Sequence, residues 1–119
     1  MPKIKSRLIE KPWGHEEIWA ETEDYVGKRM FINPGQRMSL QYHEIKEETI
    51  FVLAGTLRIW SSNDDSQYLD LRPGESYHVI PKEIHRFGCP NNSPYATSIM
   101  EVSTPHLKDV VRLADDYNR

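Results

Sequence analysis

Gly35-Gln36-Arg37-Met38-Ser39-Leu40-Gln41-Tyr42-His43-Glu44-Ile45-Lys46-Glu47-Glu48 opens on the turn chemistry of Asn33-Pro34-Gly35 and closes where β-branched and apolar residues resume. Proline presets φ and glycine tolerates positive φ, so a turn followed by a strand over Arg37–His43 is expected. Alternate residues of a strand share a face, which puts Gln41 and His43 on the same side. Glu48 stands five residues beyond His43, an odd step that reverses strand parity. A loop through Glu44–Glu47 must therefore reset the register before Glu48 can face the same interior, and the charged run there suits a loop. A second segment, Gly74-Glu75-Ser76-Tyr77-His78-Val79-Ile80-Pro81-Lys82-Glu83-Ile84-His85, ends on an imidazole. A neighbouring strand would bring His85 opposite the first group.

The same rhythm of short apolar runs between turn residues extends in both directions. Eight prolines and six glycines punctuate the sequence, and the runs between them predict strands at His15–Ala20, Val26–Asn33, Arg37–His43, Glu48–Leu53, Thr56–Ser61, Gln67–Leu71, Tyr77–Ile80, His85–Cys89 and Tyr95–Val102. Ala54-Gly55-Thr56, Ser62-Asn63-Asp64-Asp65, Arg72-Pro73-Gly74 and Pro90-Asn91-Asn92-Ser93-Pro94 supply the intervening turns. This is an all-β pattern, and evenly spaced short strands suggest a sandwich or barrel. The segment from Pro105 to Arg119 admits a final strand, a short helix or a polar terminus. With 119 residues the chain is expected to form one domain over 1–119, with no room for a second core.

Charge narrows the function classes. Fifteen Lys plus Arg against eighteen Asp plus Glu give a formal net charge of −3, and the basic residues are scattered, so no electrostatic footprint for nucleic acid exists. Any anionic ligand must be held locally. No run approaches a membrane span and the N-terminal stretch lacks the apolar core of a signal peptide, so neither a membrane nor secretion is expected. The single cysteine, Cys89, cannot form an intramolecular disulfide, in keeping with an expected cytoplasmic location.

The two segments resemble the paired motifs of the cupin superfamily, whose fold is a double-stranded β-helix or jelly-roll barrel. Gly35, Gln41, His43, Glu48 and Gly55 match the first motif, with Gln41 in place of its first histidine. Gly74 and His85 match the second, in which Ile80 and Lys82 replace a proline and a glycine. The similarity narrows to the type II mannose-6-phosphate isomerase cupin domain. It rests on Lys11-Pro12-Trp13-Gly14, Lys28-Arg29, Pro34-Gly35, Ser39-Leu40-Gln41-Tyr42-His43, Gly55-Thr56, Pro81, Ile84-His85-Arg86 and Asp109-Val110-Val111-Arg112. That domain often follows a mannose-1-phosphate guanylyltransferase domain, for which this sequence has no room, so nucleotidyl transfer is not implied. Lys46 stands where the family usually has arginine, and Thr49-Ile50 where it commonly has His-Trp.

The resemblance implies a divalent metal held by Gln41, His43, Glu48 and His85, zinc first, with manganese or iron as alternatives. One carboxylate leaves such a site with a net positive charge, suited to an oxygen that gains negative charge as a proton moves between neighbouring carbons. The implied activity is aldose–ketose isomerisation of a sugar phosphate of the mannose 6-phosphate/fructose 6-phosphate class. His78 or a metal-bound hydroxide is the candidate base, and Arg86 a candidate catalytic and phosphate-binding cation. Lys28, Arg37 and Lys46 are further candidates for the phosphate, the plain alternative being solvated edge charges. Two other functions stay open: a non-haem iron dioxygenase using His43, Glu48 and His85, and a sugar-binding cupin without catalysis. A homodimer is expected, with the apolar segment Ile4–Glu10 adding a strand to a neighbour.

Overall fold

Residues 3–119 are described by the structure, a computed structural model, and among them the chain is strand and loop throughout. The strands are β1 (Arg7–Lys11), β2 (Gly14–Glu21), β3 (Val26–Ile32), β4 (Leu40–Tyr42), β5 (Glu48–Ala54), β6 (Leu57–Trp60), β7 (Tyr68–Leu71), β8 (Ser76–Val79), β9 (Arg86–Gly88), β10 (Thr97–Ser103) and β11 (Val111–Ala114). A six-stranded antiparallel sheet runs β1-β2-β3-β10-β5-β8. Facing it are β7-β6-β9 and β11-β4, which the bridges Arg37–Gly88 and Gln41–His85 join into a second continuous wall. The all-β expectation holds, and the open tail resolves as β11, a strand paired with β4.

Arg7–Lys11, within the segment expected to add a strand to a neighbour, pairs with β2 from Arg7–Ile18 to Lys11–Gly14 and forms one edge of the large sheet. Gly14 lets β2 lie close against β3: a Cβ there would lie 1.9 Å from the Phe31 carbonyl oxygen. The turn before His85 keeps its shape despite its substitutions. Lys82, at the place of the motif's glycine, takes φ 70° and donates its N–H to the His43 carbonyl at 2.6 Å. A non-glycine residue in this left-handed region costs about 1–2 kcal/mol.

One alternation builds both core and site. On β3 the inward row runs Ile32, Met30, Lys28; on β10 it runs Thr97, Ile99, Glu101; on β5 it runs Val52, Ile50, Glu48. Register aligns these rows, pairing Met30 with Ile99, Lys28 with Glu101 and Ile50 with Glu101. The interior is therefore apolar at one end, where Ile32, Ile50, Val52, Leu57, Val79 and Ile99 have no exposed surface, each buried chain contributing about 1.5–3 kcal/mol. It turns charged at the other end along the same strands. No described helix is long and apolar enough to cross a membrane.

Candidate metal centre

His43 follows β4, Glu48 begins β5 and His85 immediately precedes β9. Gln41 and His85 exchange both backbone hydrogen bonds, Gln41 N to His85 O at 3.0 Å and His85 N to Gln41 O at 2.9 Å, which fastens the two segments side by side. One potential ligand atom from each of His43, Glu48 and His85 lies within 4.8 Å of the others, and all three residues are buried. Glu48 Oε1 is 3.6 Å from His43 Nε2 and 3.3 Å from His85 Nε2.

The other ring nitrogens decide what this cluster can hold. His43 Nδ1 lies 2.5 Å from the Asp109 carbonyl oxygen and His85 Nδ1 2.9 Å from that of Glu83. A carbonyl oxygen only accepts, so each Nδ1 carries the proton and each neutral ring presents a lone pair at Nε2. Both Nε2 atoms are buried without a hydrogen-bond partner. Two lone pairs and a carboxylate thus converge on one point, which is satisfied by a second proton on an imidazole or by a cation. Backbone carbonyls behind two histidines, with a carboxylate between them, are the support expected around a metal. The donor set fits a first-row divalent ion.

Gln41 lines the same cavity, with its side-chain oxygen accepting from the Ser39 hydroxyl at 2.7 Å. That contact still leaves the amide oxygen one lone pair.

A buried charge network surrounds the cluster. Lys46 Nζ sits 3.0 Å from Glu48 and 3.1 Å from Glu101, and Lys28 Nζ 3.2 Å from Glu16 and 3.8 Å from Glu101. Burial lowers the Lys46 ammonium's affinity for its proton, but the Glu101 and Glu48 carboxylates outweigh that and raise it above the ordinary lysine range. Burial likewise pushes Glu48 up; hydrogen bonds from His43 and His85, in the state where their Nε2 atoms carry a second proton, together with Glu101 and Lys46 hold its carboxyl well below the usual range. Glu101, buried and beside the Glu48 charge, rises to about 7 against the opposing pull of Lys28 and Lys46. Lys28 and Lys46 are therefore interior residues; the edge-charge alternative does not describe them.

Asp109 organises the loop between ligands. Its Oδ1 accepts from Glu44 N at 3.0 Å and its Oδ2 from Ile45 N at 2.8 Å and Lys46 N at 2.9 Å. Desolvation pushes this carboxyl up, but the three N–H donors prevail and hold it at about 2. The expected register reset over Glu44–Glu47 is thus made by a residue far along the chain.

Three expectations need correction. His78 pairs across the sheet with Thr49 while Glu48 pairs with buried Val79, so His78 points outward. Its side chain is 53% exposed and meets Glu47 at 2.5 Å. Arg86 is buried, but parity turns it away from His85: its Nε donates to Met38 O at 3.1 Å and its Nη2 to Ala114 O at 3.0 Å. Arg37 lies outside the cavity, bound to Asp116 at 2.7 Å and Asp65 at 2.9 Å, with its guanidinium 5.3 Å from the Trp60 ring. Sequence reasoning missed Glu16, Glu101, Asp109, Lys11, Arg112 and Arg119, which line the cavity of about 110 Å³. The inward parity of Ile18 and Ile99 pointed to Glu16 and Glu101; Lys11, Asp109 and Arg112 stand in stretches that carry the family resemblance, which assigned them no role, and Arg119 had no signal.

A family profile described as Mannose-6-phosphate isomerase C-terminal matches residues 3–115. A mannose-1-phosphate guanylyltransferase of Escherichia coli K12 is 31% identical over 116 residues, 95% of this chain and 23% of that protein. The chain thus spans about a quarter of the length of the curated relatives it matches. Among solved structures, a conserved protein with a double-stranded β-helix domain from Klebsiella pneumoniae superposes with TM-score 0.69 at 19% identity, over 97% of this chain and 90% of that one. An L-ribose isomerase from Cellulomonas parahominis gives TM-score 0.65 at 20% identity, over 77% and 59% of the respective chains. The architecture is the cupin barrel.

Proposed function

The chain belongs to the mannose-6-phosphate isomerase C-terminal family, and from that premise we propose a metal-dependent aldose–ketose isomerase acting on a hexose phosphate of the mannose 6-phosphate/fructose 6-phosphate class. The observation that carries this reading is the pair of buried, partnerless His Nε2 atoms aimed at Glu48, of which His43, with Glu48, lines a cavity that also holds Glu101, Lys28 and Lys46.

His43, Glu48 and His85 would hold the ion, zinc first, with Gln41 as a fourth donor. When bound, it supplies Lewis-acid stabilisation of the charge that develops on the sugar's carbonyl oxygen. Lys46 fixes the Glu48 carboxylate through its 3.0 Å contact and keeps it ionised. Glu101 takes the place expected of His78: its buried Oε2, 3.1 Å from Lys46 Nζ, moves the proton between the adjacent sugar carbons. Lys28 and Lys46 flank Glu101 and keep it oriented through its cycle. The apolar side chains of Trp13, Met30, Met38 and Phe87 line the cavity and limit water at the reacting end.

The test is exchange of the C2 proton of mannose 6-phosphate with solvent deuterium, using protein whose metal content has been measured. Stoichiometric metal with exchange supports the reading; a fully metallated protein that leaves the C2 proton in place rejects it. Because the Gln41 oxygen is engaged by Ser39, the two-histidine, one-carboxylate set of an iron dioxygenase is the second reading, and bound iron with oxygen consumption would favour it. A homodimer formed along β1, which occupies one edge of the large sheet, completes the proposal; a monomeric mass in solution would refute it.

A further inference from the structure

Charge in the cavity is sorted by depth. Inside, each ammonium already has two carboxylates: Lys28 has Glu16 and Glu101, and Lys46 has Glu48 and Glu101. A dianion could claim either lysine only by stranding a buried carboxylate. The mouth differs. Arg112 on β11 pairs directly with Gln41 on β4, and cross-strand partners share a face, so Arg112 stands on the cavity side beside the ligand-bearing strand. It is exposed, lines the cavity and among the described residues makes no ion pair. Lys11, the last residue of β1, lines the same cavity, and its nearest carboxylate oxygen, on Glu16, is 3.9 Å away. Arg119 is engaged by Asp115 through Nε at 2.8 Å, which leaves its terminal nitrogens available. Asp109 does not neutralise this rim, because its carboxylate is turned to the backbone of Glu44, Ile45 and Lys46.

Resting on the sugar-phosphate reading above, we infer that Lys11, Arg112 and Arg119 form the recognition site for the ligand's phosphoryl group, in place of the Lys28, Arg37, Lys46 and Arg86 expected from sequence. Guanidinium groups present a planar fork that matches phosphate oxygens, and exposed ones are desolvated at lower cost than buried ones. The arrangement orients the ligand: the anionic end lies at the mouth and the carbonyl end lies beside His43, Glu48 and His85.

Arg112→Gln and Lys11→Gln test this, with Arg58→Gln, on β6 outside the cavity lining and paired with Asp70, as control. Dissociation constants for inorganic phosphate and for mannose 6-phosphate are measured on metal-loaded protein, with metal content as the check on folding. The expected result is a loss of at least tenfold in affinity for both probes in Arg112→Gln and Lys11→Gln, unchanged metal content, and no loss in Arg58→Gln. Wild-type affinity in Arg112→Gln, or no phosphate binding by the wild-type chain, overturns the inference. The two readings fail separately. Phosphate binding that depends on Arg112 without C2-proton exchange upholds the anion site and rejects the isomerase; exchange with unchanged affinities in the variants does the reverse.

Discussion

Replacing Asp109 by alanine removes three acceptor contacts, of 3.0, 2.8 and 2.9 Å, to the N–H groups of Glu44, Ile45 and Lys46. Hydrogen bonds to a charged partner contribute about 1.5–3 kcal/mol each, but these share one partly exposed carboxylate and the freed N–H groups regain water. About 1 kcal/mol apiece, or about 3 kcal/mol in total, is the expected loss in urea denaturation. The second consequence falls on the metal. The Asp109 carbonyl oxygen holds the proton on His43 Nδ1, and without the side-chain anchor that carbonyl is no longer fixed, so metal affinity should fall about 10–100-fold, as for other supporting contacts. Competition against a chromophoric chelator measures it. Asp109→Asn should behave almost as badly, since its amide nitrogen would face donors. The folded carboxyl is held at about 2, below its ordinary value, so its contribution is complete above roughly pH 4 and is lost as pH falls towards 2; the gap between wild type and Asp109→Ala should close over that window. A variant with wild-type stability and metal affinity within twofold would refute the role assigned to this residue.

Lys46→Met should destabilise the fold by about 3 kcal/mol, because it strands the carboxylates of Glu48 and Glu101 without their shared cation; a loss under about 1 kcal/mol in urea would show the network to be dispensable. Lys82→Gly relieves the left-handed residue before His85 at some cost in unfolded-chain entropy, so a rise of up to about 1 kcal/mol, or a few degrees in Tm, is expected, and a fall of several degrees would contradict it. Glu101→Gln should reduce C2-proton exchange by at least about 100-fold with metal retained, whereas His78→Gln should leave it within twofold; equal losses in the two would return the proton-transfer role to the outer face.

The metal cluster was legible through the family resemblance, whose two motifs match His43, Glu48 and His85 at their spacing from turn glycines, and the alternation of apolar residues shows which face looks inward. The errors follow from the same rule applied too loosely. Arg86 follows His85 directly, yet adjacent strand residues point to opposite faces. His78 lies on the exposed side of β8, where buried Val79 marks the inward face. Glu101 was legible in retrospect, two residues from buried Ile99 on an inward row. Asp109 and Arg112 stand in a stretch that carries the family resemblance, but their roles were not legible, because these depend on β11 lying beside β4, a contact between segments about 70 residues apart that no local pattern encodes.

The position of β10 between β3 and β5 bears on how the molecule comes into being. Those two neighbours leave the ribosome well before the strand that must lie between them, and the loop that pins His43 waits longer still for Asp109. Nascent chains that stop short of Thr97 therefore have a gap through the middle of the large sheet and two exposed apolar edges, a state suited to chaperones and prone to aggregation. A metal held by His43, Glu48 and His85 would be captured after this closure, and stalled chains ending before and after Asp109 should differ sharply in their ability to retain it.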